Sequence, residues 1–210
     1  MINAVELVII GAGGHGRVVV EAARLSGFQL GGIIDTDFSG QKENILGCPV
    51  IGGIKSLNEL SHENISVFVA VGDSLKRAKY FLMAKEKGFS LPAVVHPTAF
   101  ISEHSTIGSG AFINTAAIIN TGAEIGENSI INSGSIIEHE VVVGKHSHVC
   151  PGVKIGGRVI IGENSFIGIG TNVIDYIKIG NNVTIGAGSV IIDNVESNST
   201  IVGVPGRKIK

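Results

Sequence analysis

From Val95 onward the apolar positions return every six residues. Ile101, Ile107, Ile113, Ile119, Ile125, Ile131, Ile137, Val143, Val149, Ile155, Ile161, Ile167, Val173, Ile179, Ile185 and Ile191 follow in unbroken phase, every one Ile or Val. Four residues after each aliphatic stands a small or β-branched residue, as at Ala99, Ser105, Ala111, Ala117, Ala123, Ser129, Ser135, Val141 and Ser147. The position directly after it is often Gly or Asn, as in Ile125-Gly126, Ile161-Gly162, Ile179-Gly180 and Ile185-Gly186. An α-helix repeats its apolar face at about 3.6 residues, so this period excludes a helix. A β-sandwich alternates with period two and spaces its turns irregularly. Six residues suit a short strand followed by a corner, with one aliphatic pointing inward per side. Three such hexads close a triangular coil, and coils stack by parallel pairing at about 4.8 Å. Each inward Ile or Val contributes roughly 1.5–3 kcal/mol of apolar burial to its ladder. The Gly and Asn residues after the aliphatics are expected to take the unusual backbone angles of the corners. The spacing defines a solenoid and leaves its handedness open. Its ends need capping: the front of the chain is expected at one end, the tail after Ile191 at the other.

Residues 1–94 carry a different pattern, alternating strand and helix. Val5 to Ile10 reads as a buried strand, followed by Gly11-Ala12-Gly13-Gly14-His15-Gly16. Arg17 to Leu25 has helical spacing, with Val18, Val19, Ala22 and Leu25 apolar. Strands are predicted over Leu30–Ile34, Pro49–Ile51 and Ser66–Val71, and a second helix over Ser74–Lys87. This is a small, Rossmann-like parallel α/β unit. Gly11, Gly13 and Gly16 fit the GxGxxG spacing between a strand and a helix, with Asp35 closing the next strand. Backbone N–H groups of such a loop hold phosphate oxygens, and Asp35 is placed to accept from a ribose or a base. The same glycines also serve a tight turn without any ligand. A dinucleotide oxidoreductase would need a second mononucleotide half, for which 94 residues leave no room; a nucleotide is the better fit.

Composition narrows the function classes. Gly makes up 30 of 210 residues, about twice the usual share of roughly 7%, which the repeat explains. Cys48 and Cys150 form neither a disulfide framework nor a metal-ligand spacing and fit a reducing, cytoplasmic setting. No run nears the ~18 apolar residues of a membrane span, and no signal-type segment opens the chain. A net charge of −2 with scattered Lys and Arg gives no footprint for nucleic acid. The mean hydropathy of +0.39 is high and points to surface buried between subunits or to a tight apolar core.

Any chemistry that moves a proton near neutral pH needs a side chain able to act as the base. His is the usual base near neutral pH, and the chain has seven. His62 lies in a polar loop, His96 and His104 lie in the first coils, and His15 lies in the Gly-rich loop. The remaining cluster is Glu138-His139-Glu140 and His146-Ser147-His148. His139 falls two residues after inward Ile137, at a corner where its side chain faces out. Glu140 is placed to bond one ring nitrogen and fix the tautomer. An outward His flanked by carboxylates also occurs simply as a surface residue.

The run Ile131-Asn132-Ser133-Gly134-Ser135-Ile136-Ile137-Glu138-His139-Glu140, followed by Ser147-His148, resembles the signature of a known family, as does the whole chain down to Gly203-Val204-Pro205-Gly206. That family is the hexapeptide-repeat acyltransferases that N-acetylate nucleotide-linked 4-amino-sugars in bacterial glycan assembly, with the sialic-acid-pathway acetyltransferase-like proteins. The resemblance implies a left-handed parallel β-helix after residue 94, spanning 95–210 with its tail, and a homotrimer with sites between subunits. It implies acetyl-CoA as co-substrate, no metal, and a nucleotide-sugar, most commonly UDP-linked. By that likeness His139 is the general base and Glu140 its orienting partner, Asn132 contacts the sugar or amine, and His148 bonds the thioester or pantetheine region. Backbone amides around Ile169 and Ala187 line the pantetheine groove. The family usually carries a second Gly near Ala187, a departure that bears on this contact. Gly13, Gly14 and His15 are assigned to phosphates and sugar, and Asp35 and Thr36 to the nucleoside. The implied mechanism is direct attack by the sugar amine, with the oxyanion near backbone N–H groups. Cys150, close after His148, raises an acyl-cysteine route as the alternative.

Three other readings share these features. A sugar O-acetyltransferase differs only in the acceptor. A non-catalytic nucleotide-sugar-binding β-helix would have no need for the intact Asn132, His139, Glu140 and His148 set. A γ-class carbonic anhydrase needs three zinc-binding His, and His139, His146 and His148 do not stack in one eighteen-residue register.

Overall fold

In the front unit, Met1–Pro97, the segments Glu6–Ile10 (β1), Leu30–Asp35 (β2), Asn44–Ile45 (β3), Cys48–Gly53 (β4) and Ile65–Val69 (β5) make one sheet, ordered β3-β4-β2-β1-β5. All neighbours in it are parallel except β3, which pairs antiparallel with β4. The structure, a computed structural model, describes residues 5–40 and 43–210. Helix α1 (Gly14–Leu25) follows β1, and α2 (Ser74–Glu86) follows β5. Val8, Ile10, Ile34, Val67 and Val69 pack with Phe81 and Ala84 of α2 in one buried cluster. The helix after β1 starts at Gly14, not at Arg17 as its apolar spacing suggests, so Gly14, His15 and Gly16 are its first turn. From β1 the sheet grows to one side through β2 and to the other through β5. That reversal opens a crevice at the carboxyl ends of the strands, where α/β sheets bind ligands.

The second unit, Thr98–Lys210, is the solenoid. Two-residue strands pair in parallel register with partners one coil away, as Ile119↔Ile137 and Ile137↔Ile155. Three faces result. The first carries Phe112–Ile113, Ile130–Ile131, His148–Val149, Phe166–Ile167 and Thr184–Ile185; the second begins at Phe100–Ile101 and includes Ile136–Ile137 and Lys154–Ile155; the third includes Val142–Val143 and Ile160–Ile161. The series aliphatics from Ile113 to Ile191 are all buried. Ser129, Ser135, Ser147 and Ser165 sit inside with them, and their hydroxyls are satisfied by carbonyls, as Ser147 Oγ on Gly162 O at 2.8 Å.

The corners differ from expectation in one respect. The left-handed residue lies three positions after the inward aliphatic, not one: Gly110, Gly122, Asn128, Gly134, Gly152, Asn164, Gly170, Asn182 and Gly188 all have positive φ. Glycines directly after an aliphatic serve close approach between coils. A Cβ on Gly126 would stand 2.7 Å from Lys145 N and 2.8 Å from Val143 O of the next coil. Beyond Ile191, Thr200–Val202 continues the first face and Arg207–Lys208 turns back antiparallel upon it. This return covers a strand edge that would otherwise be open. Among the described residues no helix is long and apolar enough to cross a membrane.

Candidate active site

The Gly-rich loop divides its glycines by task. A Cβ on Gly16 would meet Gly11 O at 2.0 Å, and one on Gly11, at φ +118, would meet Ala70 O at 2.6 Å. These two serve the turn and the strand–helix contact. Gly13 and Gly14 have nothing within 4 Å of a built Cβ. Gly13 is the N-cap of α1 and no side chain caps the helix there, so its first N–H groups face open space with the positive end of the helix dipole. That space is a cavity of about 530 Å³ lined by Gly13, Gly14, His15, Asp35, Thr36 and residues 70–73 after β5. The structure thus brings all five predicted nucleotide-side residues to one crevice. Asp35 is shaped locally, its Oδ1 accepting from Asp37 N at 3.2 Å.

His15 is half-buried as a residue, but its ring nitrogen Nε2 is shut off from solvent. Burial first, and the charge of Arg77 second, lower its pKa to about 4. At neutral pH it is therefore a neutral imidazole, not a cation. Arg77 escaped the sequence reading. It is buried at the first turn of α2 and donates to Val71 O at 3.2 Å and Gly72 O at 3.1 Å. Its burial depends on the loop after β5 folding over it; its spacing from Phe81 and Ala84 was the available signal.

On the β-helix the predicted residues separate onto two edges. Asn132 follows the first-face strand Ile130–Ile131, and His148 opens the next strand of that face. Asn132 Nδ2 lies 3.2 Å from His148 Nε2, while its Oδ1 accepts from Asn114 Nδ2 at 2.9 Å and Ser133 N at 2.8 Å. With Oδ1 engaged by donors, Nδ2 donates to His148, so His148 carries its proton on Nδ1. Phe166, one coil on, stacks edge-on against this ring at 5.3 Å. Ile169 and Ala187 are exposed and stand one coil apart on the same edge, joined by Gly188 N–H donating to Ile169 O at 2.8 Å. Asn132, His148, Ile169 and Ala187 thus mark one continuous line.

His139 and Glu140 lie at the next corner, after the second-face strand Ile136–Ile137. Both are about half exposed, and His139 Nδ1 is 3.3 Å from Glu140 Oε2. A carboxylate only accepts, so Nδ1 is the donor and Nε2 has the free lone pair. Hydrogen bonds from Arg158, then from His139, hold the Glu140 carboxyl below its ordinary range. One coil further along, Gly157 lies beneath the imidazole, and its N–H donates to Asp175 Oδ1 at 2.8 Å. Neither Gly157 nor Arg158 stood out in the sequence; the eighteen-residue step from His139 and Glu140 reaches both. His146 belongs to the third corner, 2.8 Å from Asn128 Nδ2. Cys150 is buried, and burial pushes its thiol up to about 12, which leaves no thiolate for a covalent route.

These features match known families over both units. The PglD N-terminal domain matches residues 6–84, and the six-repeat bacterial transferase hexapeptide family matches residues 122–157 and 158–193. The chain belongs to the hexapeptide-repeat acyltransferases, enzymes built on a left-handed parallel β-helix. Within them it is similar to a GDP-perosamine N-acetyltransferase from Caulobacter crescentus, solved as a histidine variant with CoA and GDP-perosamine: 34% identity, TM-score 0.94, covering 98% of this chain and 97% of that one. The acetyltransferase domain of PglB from Neisseria gonorrhoeae, solved with acetyl coenzyme A, is 34% identical with a TM-score of 0.93, covering 98% of this chain and 100% of that one. WeeI from Acinetobacter baumannii is 25% identical with a TM-score of 0.88, covering 97% and 99%. No curated protein sequence matches the chain.

Proposed function

We propose that this protein transfers the acetyl group of acetyl-CoA to the 4-amino group of a nucleotide-linked amino-deoxysugar. The observation that carries the reading is the outward His139, fixed through Nδ1 by Glu140 so that Nε2 is ready to take a proton. It stands in a chain whose similarity to nucleotide-sugar N-acetyltransferases runs over nearly its full length. Acetyl-CoA brings an activated acyl group. His148, Ile169 and Ala187 form the edge that holds it. His139 deprotonates the attacking amine, and Asn132 orients His148 while facing the acceptor. The crevice at Gly13, Gly14, His15, Asp35 and Thr36 takes the nucleotide, with the diphosphate at the start of α1.

One chain alone keeps His139 and His148 on different edges of the triangle, which supports a homotrimer in which the His139 corner of one subunit meets the His148 edge of another. UDP is the nucleotide expected from the resemblance, and GDP, which the Caulobacter relative binds as GDP-perosamine, is its competitor. Thermal shift with UDP- and GDP-linked 4-amino-sugars separates them, since binding to the native fold raises the melting temperature. The function itself is tested with His139→Ala, following CoA release. Turnover is expected to fall by about 10²- to 10⁴-fold with nucleotide-sugar binding retained. Near-normal turnover removes His139 from the mechanism.

A further inference from the structure

Three consecutive coils break the glycine-and-asparagine habit at one corner. Glu140, Arg158 and Tyr176 all hold left-handed backbone, at φ 57, 58 and 62, where Gly122 stands in the coil before them. Only Ala116 and His146 are comparable exceptions on the described hexad corners. The three side chains form a ladder. Arg158 Nε donates to Glu140 Oε2 at 2.6 Å, and its Nη1 donates to Tyr176 Oη at 2.9 Å. The guanidinium carbon also lies 5.6 Å from the centroid of the Tyr176 ring, within reach of cation–π attraction. The oxygen that Arg158 grips, Oε2, is the one that accepts from His139 Nδ1.

We propose that Arg158, pinned by Tyr176, is a positioning residue for His139, fixing the Glu140 carboxylate so that the imidazole keeps its proton on Nδ1. This deepens, and rests on, the reading of His139 as the base. A half-exposed carboxylate on its own is a weak tether, because it trades freely between rotamers and water. A planar guanidinium anchored at both ends is pre-organised, so little freedom is lost when it takes up Glu140. It also offsets the carboxylate charge, so the imidazole faces an ion pair and not a bare anion. Orientation of this kind acts on the chemical step and leaves substrate affinity alone.

The test uses the full chain with Arg158→Asn, Arg158→Lys and Tyr176→Phe, and His139→Gln as reference. Asn suits left-handed backbone, so Arg158→Asn keeps the fold and its melting temperature stays level or rises. With acetyl-CoA and GDP-perosamine as probes, kcat is expected to fall about 10- to 100-fold while both KM values stay within about twofold. Lys restores part of the loss and Tyr176→Phe loses less. Imidazole ¹⁵N NMR should show His139 as the Nδ1–H tautomer in the native protein and as a tautomer mixture in Arg158→Asn. If His139→Gln keeps turnover, the base reading fails and takes this inference with it. If His139→Gln is inactive while Arg158→Asn keeps native kcat and tautomer, the positioning role alone is overturned. Should the native protein leave GDP-perosamine untouched, an unchanged His139 tautomer in Arg158→Asn overturns it without turnover data.

Discussion

Gly157→Ala should separate catalysis from stability at a single methyl group. The added Cβ would lie 2.5 Å from His139 Nε2, 2.6 Å from Cε1 and 3.2 Å from Cδ2. Ordinary contacts between such atoms are about 3.5–4.0 Å, so the ring must withdraw by roughly 1 Å. A displacement of that size can cost about a hundredfold in rate, or about 2.7 kcal/mol of barrier. Gly157 is outside the left-handed region, so the alanine backbone is unstrained. Losing glycine freedom in the unfolded chain should even add about 0.4–1 kcal/mol of stability.

Its neighbour supplies the opposite control. A Cβ on Gly156 would meet Asp175 Oδ1 at 2.4 Å, Asp175 N at 2.7 Å and Ile174 C at 2.9 Å. Backbone of the next coil cannot step aside as an imidazole can, so Gly156→Ala should lower the melting temperature. The assay pairs initial rates of CoA release with thermal midpoints for both variants. Gly157→Ala is expected to melt at or above the native temperature with kcat down about a hundredfold. A Gly157→Ala protein with native kcat would refute the reasoning, as would one that unfolds as early as Gly156→Ala.

Three further outcomes follow from burial. Cys150→Ala should keep native kcat, and iodoacetamide should leave the native enzyme active, because a thiol pushed up to about 12 holds almost no thiolate at neutral pH. His15 binds its proton more weakly folded, at about 4, than unfolded, at 6.5. Its contribution is therefore complete above the unfolded value and is lost as pH falls from about 6.5 to about 4, to a total of at most roughly 3 kcal/mol; urea midpoints at the two ends should differ less in His15→Gln. Ile155→Ala, in the ladder between Ile137 and Val173, should cost about 2–5 kcal/mol and Ile155→Val about 0.5–1.5 kcal/mol in denaturant unfolding.

The solenoid was legible because its period is written in side chains that must all be buried, from Ile113 to Ile191. The corner conformation was not, because Gly and Asn occur both one and three residues after the aliphatic. Only the stacked coils show that Gly126 answers to the backbone of Val143 and Lys145, while Asn128 carries the positive φ. In the front unit the same abundance of glycine hid the first turn of α1, since Gly14 and Gly16 depress helix propensity. His139 and Glu140 were readable as neighbours in sequence. Arg158, Tyr176 and Gly157 were not, because they touch the pair only through coil stacking. The split of His139 and His148 onto different edges likewise depends on which face each strand joins.

The corner itself explains why the chemistry collects there. Each two-residue strand commits one side chain to packing and offers one outward, as His148 does, so the corners supply most of the remaining outward groups free to serve a ligand. The left-handed position points such a group along the stack, at a cost of roughly 1–2 kcal/mol for a residue other than Gly. A single exception says little: Ala116 takes this conformation at φ 54 with no side chain to offer. Glu140, Arg158 and Tyr176 in unbroken succession, bonded to each other and to the imidazole, are a different case. Three strained corners together are a large share of the few kcal/mol by which a domain of this size stays folded. Relieving them with Asn or Gly should stabilise the coil stack and slow the enzyme, since the backbone strain and the orientation of His139 belong to the same three residues.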